Sequence, residues 1–89
     1  AEGPVLVDLF AAWCGPCRAL APVLETLAEA RPELRIGKVD VDAQPELAAR
    51  FDVLTVPTLL LFRSGRLLRR TTGAKTPAEL EEFLRSGEA

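Results

Sequence analysis

Two apolar runs separated by a helical segment constrain the fold of this chain more than any other feature. Residues 5–10 read VLVDLF and are apolar on both faces except at Asp8, which is typical of a central strand covered on two sides. The following segment, to about Ala30, spaces its leucines and valines as a helix does, and residues 34–41 form a second apolar run. Strand, helix and strand in that order predict a right-handed crossover and two parallel strands.

The second half of the chain predicts a hairpin and two more helices. The predicted elements are a helix over residues 45–50, strands over residues 58–62 and 66–72, and a last helix from the capping box at residues 76–79 to Gly87. Ser64 and Gly65 make a tight turn, so the last two strands are expected to pair antiparallel. The predicted class is α/β, with a four-stranded mixed sheet and three helices in the order β-α-β-α-β-β-α, and with residues 1–89 as one domain.

Length and charge exclude several classes of function. A chain of 89 residues is short enough for a single small domain. It carries 11 Lys and Arg against 13 Asp and Glu, so no overall basic field attracts nucleic acid or anionic lipid. Its apolar runs are far shorter than the roughly 18 residues of a membrane span. We therefore expect a monomeric cytoplasmic protein that binds neither nucleic acid nor membrane.

Cys14 and Cys17 are the candidate reactive centre. Two residues three apart in a first helical turn have Cα atoms about 5 to 6 Å apart, a distance that a disulfide accepts. Cys14 precedes the free N–H groups of the helix, which lower the pKa of its thiol and make it the expected nucleophile. Cys17 lies one turn deeper, where we expect it to be shielded until it resolves a mixed disulfide. The chain has no histidine, so thiols, carboxylates, amines and backbone must supply the chemistry.

Asp8 is the carboxylate that the apolar pattern places in a buried strand near the cysteines. Burial raises the pKa of an aspartate, so Asp8 is expected to take the proton of Cys17 directly or through a water. Lys38 on the neighbouring strand would partner Asp8 and moderate that pKa. The alternatives are a solvated Asp8 at a strand edge and an ordinary surface role for Lys38.

The order and spacing of several motifs resemble those of the thioredoxin family. The motifs are Trp13 before Cys14-Gly15-Pro16-Cys17, the upstream Val5-Leu6-Val7-Asp8, Ala21-Pro22, Lys38-Val39-Asp40, Val56-Pro57-Thr58 and Thr72-Gly73-Ala74. A lone CxxC is a weak signal, but CxxC after a strand together with Val-Pro-Thr before an apolar strand is a strong one. The resemblance covers essentially the whole chain. It implies a thioredoxin-like fold and an enzyme that reduces protein disulfides.

The resemblance also implies a substrate site around the cysteines. In the family the proline of the Val-Pro-Thr motif is cis and lies beside the disulfide, so Val56 and Pro57 would form the shelf on which the substrate backbone pairs. The rest of the expected surface is Trp13, Gly15, Pro16 and Gly73. No cofactor is required, since the electrons reside in the two sulfurs. The implied partners are disulfide-containing proteins and a flavin-dependent thioredoxin reductase that draws on NADPH.

The chain departs from the family pattern in two places. The family carries a strand and a helix ahead of the segment that begins at Val5, whereas only residues 1–4 precede it here. Four strands are therefore expected where the family usually has five, which leaves a sheet edge less covered. Phe10 stands where the family often has Trp, so packing near Asp8 is expected to differ.

Other interpretations remain open at this point. The cysteines could be inert buried thiols or half of a zinc site, although one CxxC supplies only two of four ligands. The chain could be a binding module that holds a partner without turnover. It could also be a domain excised from a larger oxidoreductase or isomerase, since it begins with Ala1, or an exported protein whose leader was cleaved. The basic cluster of Arg63, Arg66, Arg69 and Arg70 is interpreted first as a solvated edge and second as a docking patch.

Overall fold

A four-stranded mixed sheet organises the chain, of which a computed structural model describes residues 3–86. In chain order the elements are β1 (Pro4–Phe10), α1 (Gly15–Ala30), β2 (Arg35–Asp40), α2 (Pro45–Arg50), β3 (Thr58–Arg63), β4 (Arg66–Thr72) and α3 (Pro77–Ser86). The strand order is β2-β1-β3-β4, with β1 parallel to β2 and the other two pairs antiparallel. The predicted element order, crossover and hairpin are confirmed. Gly87, the predicted end of the last helix, lies outside the described residues.

Local chemistry determines where α1 begins. Cys14 is the N-cap residue in an extended conformation, and its Sγ accepts a hydrogen bond of 3.1 Å from the backbone N–H of Cys17. Pro16 lies in the first turn, where a helix needs no backbone N–H. The helix then continues through Pro22 to Ala30. The two cysteines are therefore fixed at the N-terminal end of the longest helix in the described part of the chain.

The main core lies between α1, α3 and one face of the sheet. Its buried residues are Leu6, Leu20, Leu24, Leu27, Leu34, Leu59, Leu61, Leu80, Phe83 and Leu84. Successive side chains of a strand point to opposite faces, so Val7 and Leu9 of β1 lie on the other side of the sheet. There, Leu47 of α2 and Phe51 after it border an apolar cavity of about 200 Å³. No helix within residues 3–86 is long and apolar enough to cross a membrane.

The predicted capping box fixes the start of α3. Thr76 Oγ1 accepts a hydrogen bond of 3.1 Å from the backbone N–H of Glu79, and the N–H of Thr76 donates to Glu79 Oε1 at 2.9 Å. These hydrogen bonds hold the pKa of the Glu79 carboxyl below its ordinary value. An ion pair between Arg31 and Glu81 also joins α3 to the end of α1. The cap orients the helix that delivers Leu80 to the core.

We predict that Thr76→Ala lowers the free energy of unfolding by about 1 kcal/mol, because it leaves an N-terminal N–H of α3 without its partner. The measurement is urea unfolding followed by circular dichroism. Thr26→Ala is the matched control, because Thr26 is an exposed residue in the middle of α1, where alanine is the better helix former. Equal destabilisation by both substitutions would contradict a role for the cap.

Candidate functional site

The two cysteines lie where β1 leads into α1, and they are joined in a disulfide. Their Cα atoms are 5.3 Å apart, in agreement with the distance expected from the spacing. Cys14 is 4% exposed and Cys17 is 5% exposed. They pack in a small cluster with Ala11, against which Phe10 is partly buried. Both cysteines are thus shielded in the disulfide form, and exposure does not distinguish them.

Position relative to α1 does distinguish the two sulfurs. Cys14 Sγ accepts the N–H of Cys17 at the helix N-terminus, where the helix dipole favours a negative charge. A reduced Cys14 would therefore be stabilised as the thiolate. The same sulfur lies 3.7 Å from the carbonyl oxygen of Val56. Cys14 is consequently the sulfur that faces the segment before Pro57.

The segment around Pro57 is held by backbone hydrogen bonds. The Val56–Pro57 peptide bond is cis, as the resemblance implied. The N–H of Gly73 donates to the carbonyl of Pro57 at 2.9 Å, and Thr58 Oγ1 donates to the carbonyl of Thr55 at 2.7 Å. Gly73 has a φ of 88°, a conformation that L side chains rarely adopt, so its glycine is required by the backbone. The structure therefore brings Cys14, Val56, Pro57 and Gly73 together.

Trp13 provides an exposed aromatic ring beside the cysteines. Its side chain is 68% exposed, and the indole N–H donates to a carboxylate oxygen of Asp42 at 2.8 Å. The ring borders a cavity of about 290 Å³ whose lining residues are Trp13, Val41, Val53, Leu54, Thr55 and Val56. Gly15 and Pro16, at the start of α1, are exposed. Trp13, Gly15 and Pro16 thus lie next to the cysteines, at the start of α1.

Leu54 belongs to this surface, and the sequence analysis missed it. It is 95% exposed, although large apolar side chains in a small protein are usually at least partly covered. Together with Trp13 it forms an apolar rim on the cavity, and exposed apolar patches of this kind often mark interaction sites. Its neighbours in the sequence include Phe51, Val53 and Val56, so the local pattern carried no signal that this leucine is exposed.

Asp8 is a buried carboxyl in the middle of the sheet. It is 1% exposed, and neither carboxylate oxygen has a hydrogen-bond partner within the described residues. It pairs with Lys38 in the register of β1 and β2, and with Leu59 across β3. Loss of solvation raises the pKa of the Asp8 carboxyl, and the charge of Lys38 offsets part of that rise.

Asp8 and Cys17 border a common cavity of about 150 Å³, whose lining also includes Arg18 and Lys38. This volume is enough for several water molecules, each of which occupies about 30 Å³ in the liquid. Lys38 makes no ion pair with Asp8 among the described residues, and its Nζ lies over the Phe10 ring, 5.2 Å from the centroid. Asp8 and Cys17 thus share a cavity with room for water, and Lys38 acts on Asp8 through its charge.

No group of three or more metal-ligating side chains occurs in residues 3–86. The groups that the site presents are the two bonded sulfurs and the buried carboxyl. Cys14 can attack a sulfur, Cys17 lies within bonding distance of Cys14, and Asp8 can exchange a proton through the cavity they share.

Comparisons with known proteins agree with this geometry. A family model described as Thioredoxin matches residues 1–86. A thioredoxin from Mycobacterium tuberculosis is 51% identical over 78 residues, which are 86% of this chain and 67% of that protein. A bifunctional thioredoxin reductase/thioredoxin from Mycobacterium leprae has the same identity over 78 residues, but the match covers 17% of its length. The crystal structure of thioredoxin from Fasciola hepatica matches with a TM-score of 0.90 and 40% identity, covering 97% of this chain and 82% of that one.

We predict that Asp8→Asn raises the free energy of unfolding at pH 7 by about 1 to 3 kcal/mol, because it removes a buried charge without a partner. The pKa of Asp8 is higher in the folded protein than in the unfolded chain, so its ionisation destabilises the native state as pH rises from about 4 through the folded pKa. The advantage of the variant should therefore vanish below about pH 4.

Urea unfolding between pH 3.5 and pH 8 measures this difference. Glu25→Gln, at an exposed position of α1, is the matched control and should leave the pH profile unchanged. A stability difference between Asp8→Asn and the parent that stays constant across this range would show that ionisation of Asp8 is not its cause.

Proposed function

The chain belongs to the thioredoxin family, and we propose on that ground that it reduces the disulfides of other proteins through a reversible Cys14–Cys17 couple. Thioredoxins are dithiol/disulfide oxidoreductases, and this chain carries the bonded cysteine pair that such an enzyme needs. The observation that carries the proposal is the position of Cys14, which caps α1 and lies 3.7 Å from the carbonyl oxygen of Val56. That arrangement presents one activated sulfur beside an accessible stretch of backbone.

The reaction begins from the reduced pair. The thiolate of Cys14 attacks one sulfur of the substrate disulfide, so a bond forms between Cys14 and the substrate while the second substrate sulfur leaves as a thiolate. Cys17, deprotonated, then attacks Cys14 Sγ and releases the first substrate sulfur. The substrate gains two electrons and the protein is left with the Cys14–Cys17 disulfide that the structure shows.

Asp8 receives the proton of Cys17 in the second step. The raised pKa of its carboxyl brings its proton affinity closer to that of a thiol, and the shared cavity supplies a route through water. Lys38 limits how far this pKa rises, because its charge stabilises the ionised carboxyl. The buried carboxyl is thus the base of the reaction, and the charge of Lys38 adjusts its pKa without direct contact.

The substrate lies across Trp13, Val56 and Gly73. The backbone of Val56 pairs with the backbone of the substrate, and the absence of a side chain at Gly73 lets the two chains approach closely. Trp13 and Leu54 contribute the apolar rim, and the hydrogen bond to Asp42 fixes the orientation of the indole. Gly15 and Pro16 extend the surface in front of the disulfide. Substrates with an apolar side chain near their cystine fit this rim.

A flavin-dependent thioredoxin reductase that uses NADPH would return the pair to the dithiol. The relative from Mycobacterium leprae, which carries both names in one chain, supports such a pairing. The Gly-Pro between the cysteines resembles the reducing members of the family, which supports action in the cytoplasm, where thiols are kept reduced. Both reactive sulfurs belong to one chain, which supports action as a monomer.

We predict that Cys14→Ser lowers the rate of protein-disulfide reduction by a factor of about 10³ or more, because it removes the nucleophile. Cys17→Ser should instead trap the substrate as a mixed disulfide with Cys14. The assay follows reduction of a disulfide-bonded protein by dithiothreitol, with mass spectrometry to identify the trapped adduct. Undiminished activity of Cys14→Ser would overturn the enzymatic proposal in favour of a binding module.

We predict that the Cys14–Cys17 couple is strongly reducing, with a standard potential below about −240 mV, because it has to pass electrons to the disulfides of other proteins. Equilibration against glutathione, with a thiol probe reporting the reduced fraction, measures it. Cys17→Ser, which cannot form the internal disulfide, shows how much of the probe signal comes from mixed disulfides of Cys14 with glutathione. A potential above about −200 mV would contradict a cytoplasmic reductase and indicate an exported oxidant or isomerase.

A further inference from the structure

Arg70 on the edge strand β4 binds the chain just beyond α2. Its Nη1 donates to the carbonyl of Phe51 at 2.7 Å, and its Nη2 donates to the carbonyl of Asp52 at 3.2 Å. The planar guanidinium presents several donors in a fixed fork, so one side chain holds two neighbouring carbonyls. The sequence pattern predicted a solvated basic edge at Arg70, whereas the structure shows that its side chain makes a specific contact with the backbone.

The other arginines of this hairpin are placed differently. Arg69 lies over the ring of Phe83, 5.3 Å from the centroid. The side chains of Arg63 and Arg66 are exposed and donate no hydrogen bond to the described residues. The contact of Arg70 is therefore a property of its position, and Arg66 offers a comparison on the same strand with the same charge.

The two carbonyls that Arg70 binds lie just after the C-terminus of α2, beyond its helical hydrogen bonds. The last carbonyls of α2 accept from the N–H groups of the next residues, including Val53, which donates to Ala48 at 2.8 Å. Asp52 then takes a φ of 54° and turns the chain away from the helix. The carbonyls of a helix C-terminus carry partial negative charge, so a cationic donor is favoured there.

The loop that starts at this point ends at the cis peptide bond beside the disulfide. Residues 53–57 contain no helix or strand, so hydrogen bonds at the two ends determine where the loop lies. At the far end, Gly73, which follows β4, donates to Pro57. At the near end, Arg70 of β4 binds Phe51 and Asp52. The same edge strand and the residue after it thus anchor both ends of the loop that places Val56 3.7 Å from Cys14 Sγ.

We propose that Arg70 is a positioning residue for the substrate site, since its two hydrogen bonds hold the 53–56 loop so that the backbone of Val56 faces Cys14. This inference rests on the proposed function. It assigns to Arg70 an effect on protein substrates, which pair along Val56, and none on small disulfides, which need to reach only the sulfur. Arg70 itself touches neither the reacting atoms nor the substrate.

The test compares Arg70→Ala, Arg70→Lys and Arg66→Ala with two substrates, a disulfide-bonded protein and the uncharged hydroxyethyl disulfide. Arg70→Ala should raise KM for the protein about tenfold while kcat changes less than twofold, since two hydrogen bonds that order the loop are lost. Its rate with hydroxyethyl disulfide and its reduction potential should match the parent. Arg70→Lys should recover part of the loss, and Arg66→Ala should behave as the parent with both substrates.

Two outcomes of the kinetic test would overturn the proposal. If Arg66→Ala raised KM for the protein substrate as much as Arg70→Ala does, the effect would come from the positive charge of the strand and not from the two hydrogen bonds. If Arg70→Ala lost activity equally with the protein and with hydroxyethyl disulfide, the effect would lie at the cysteine pair. Failure of the parent protein to reduce either disulfide would refute the proposed function instead.

Amide hydrogen exchange tests the positioning role without turnover. The N–H of Val53 should exchange about tenfold faster in Arg70→Ala than in the parent and at the parental rate in Arg66→Ala. Unchanged exchange in Arg70→Ala would overturn the proposal. Thermal unfolding of each variant shows that the comparison is made between folded proteins.

Discussion

The burial of β1 between two paired strands is the constraint on which the rest of the site depends. Because β2 and β3 both bond to it, β1 runs through the middle of the sheet, and a carboxyl placed on it is removed from water. The same strand ends just ahead of α1, so the residue that caps the helix lies at the edge of that buried region. The burial of the Asp8 carboxyl and the position of Cys14 at the start of α1 are thus two consequences of one strand position.

Main-chain hydrogen bonds assemble the remainder of the site from distant parts of the chain. The N–H of Val41 donates to the carbonyl of Phe10 at 2.9 Å, which joins the end of β2 to the end of β1. The N–H of Gly73, just after β4, likewise donates to the carbonyl of Pro57, just before β3. Since these contacts use backbone atoms, the side chains around the sulfurs can differ while the segments that form the site stay in place. This explains how Phe10 can stand where the family often has Trp while the disulfide keeps its place.

Sequence patterns predicted the sheet and the cysteines, because both follow from local spacing. Apolar runs and the turn at Ser64 and Gly65 determine the pairing, and a separation of three residues at a helix start determines the disulfide. The cis bond before Pro57 was expected through family resemblance alone, since spacing carries no information on a peptide isomer. Neither the exposure of Leu54 nor the contact made by Arg70 could be predicted, because each depends on where a loop lies relative to a distant element. The burial of Cys14 could not be predicted either, because it depends on the loop before Pro57, which lies against its sulfur.

An unpartnered carboxyl in a core opposes folding, so its position in the centre of the sheet calls for a functional reason. An aspartate in water has a pKa near 4 and a cysteine thiol one near 8.5, a gap that makes proton transfer from thiol to carboxylate unfavourable. Burial narrows the gap by raising the pKa of Asp8. The charge of Lys38 limits that rise, because it stabilises the ionised carboxyl. A protein hydrogen-bond donor to Asp8 would improve stability and would also lower this pKa, which would undo the match. Burial without such a donor among residues 3–86 therefore suits Asp8 to its proposed role, which is to accept a proton from Cys17.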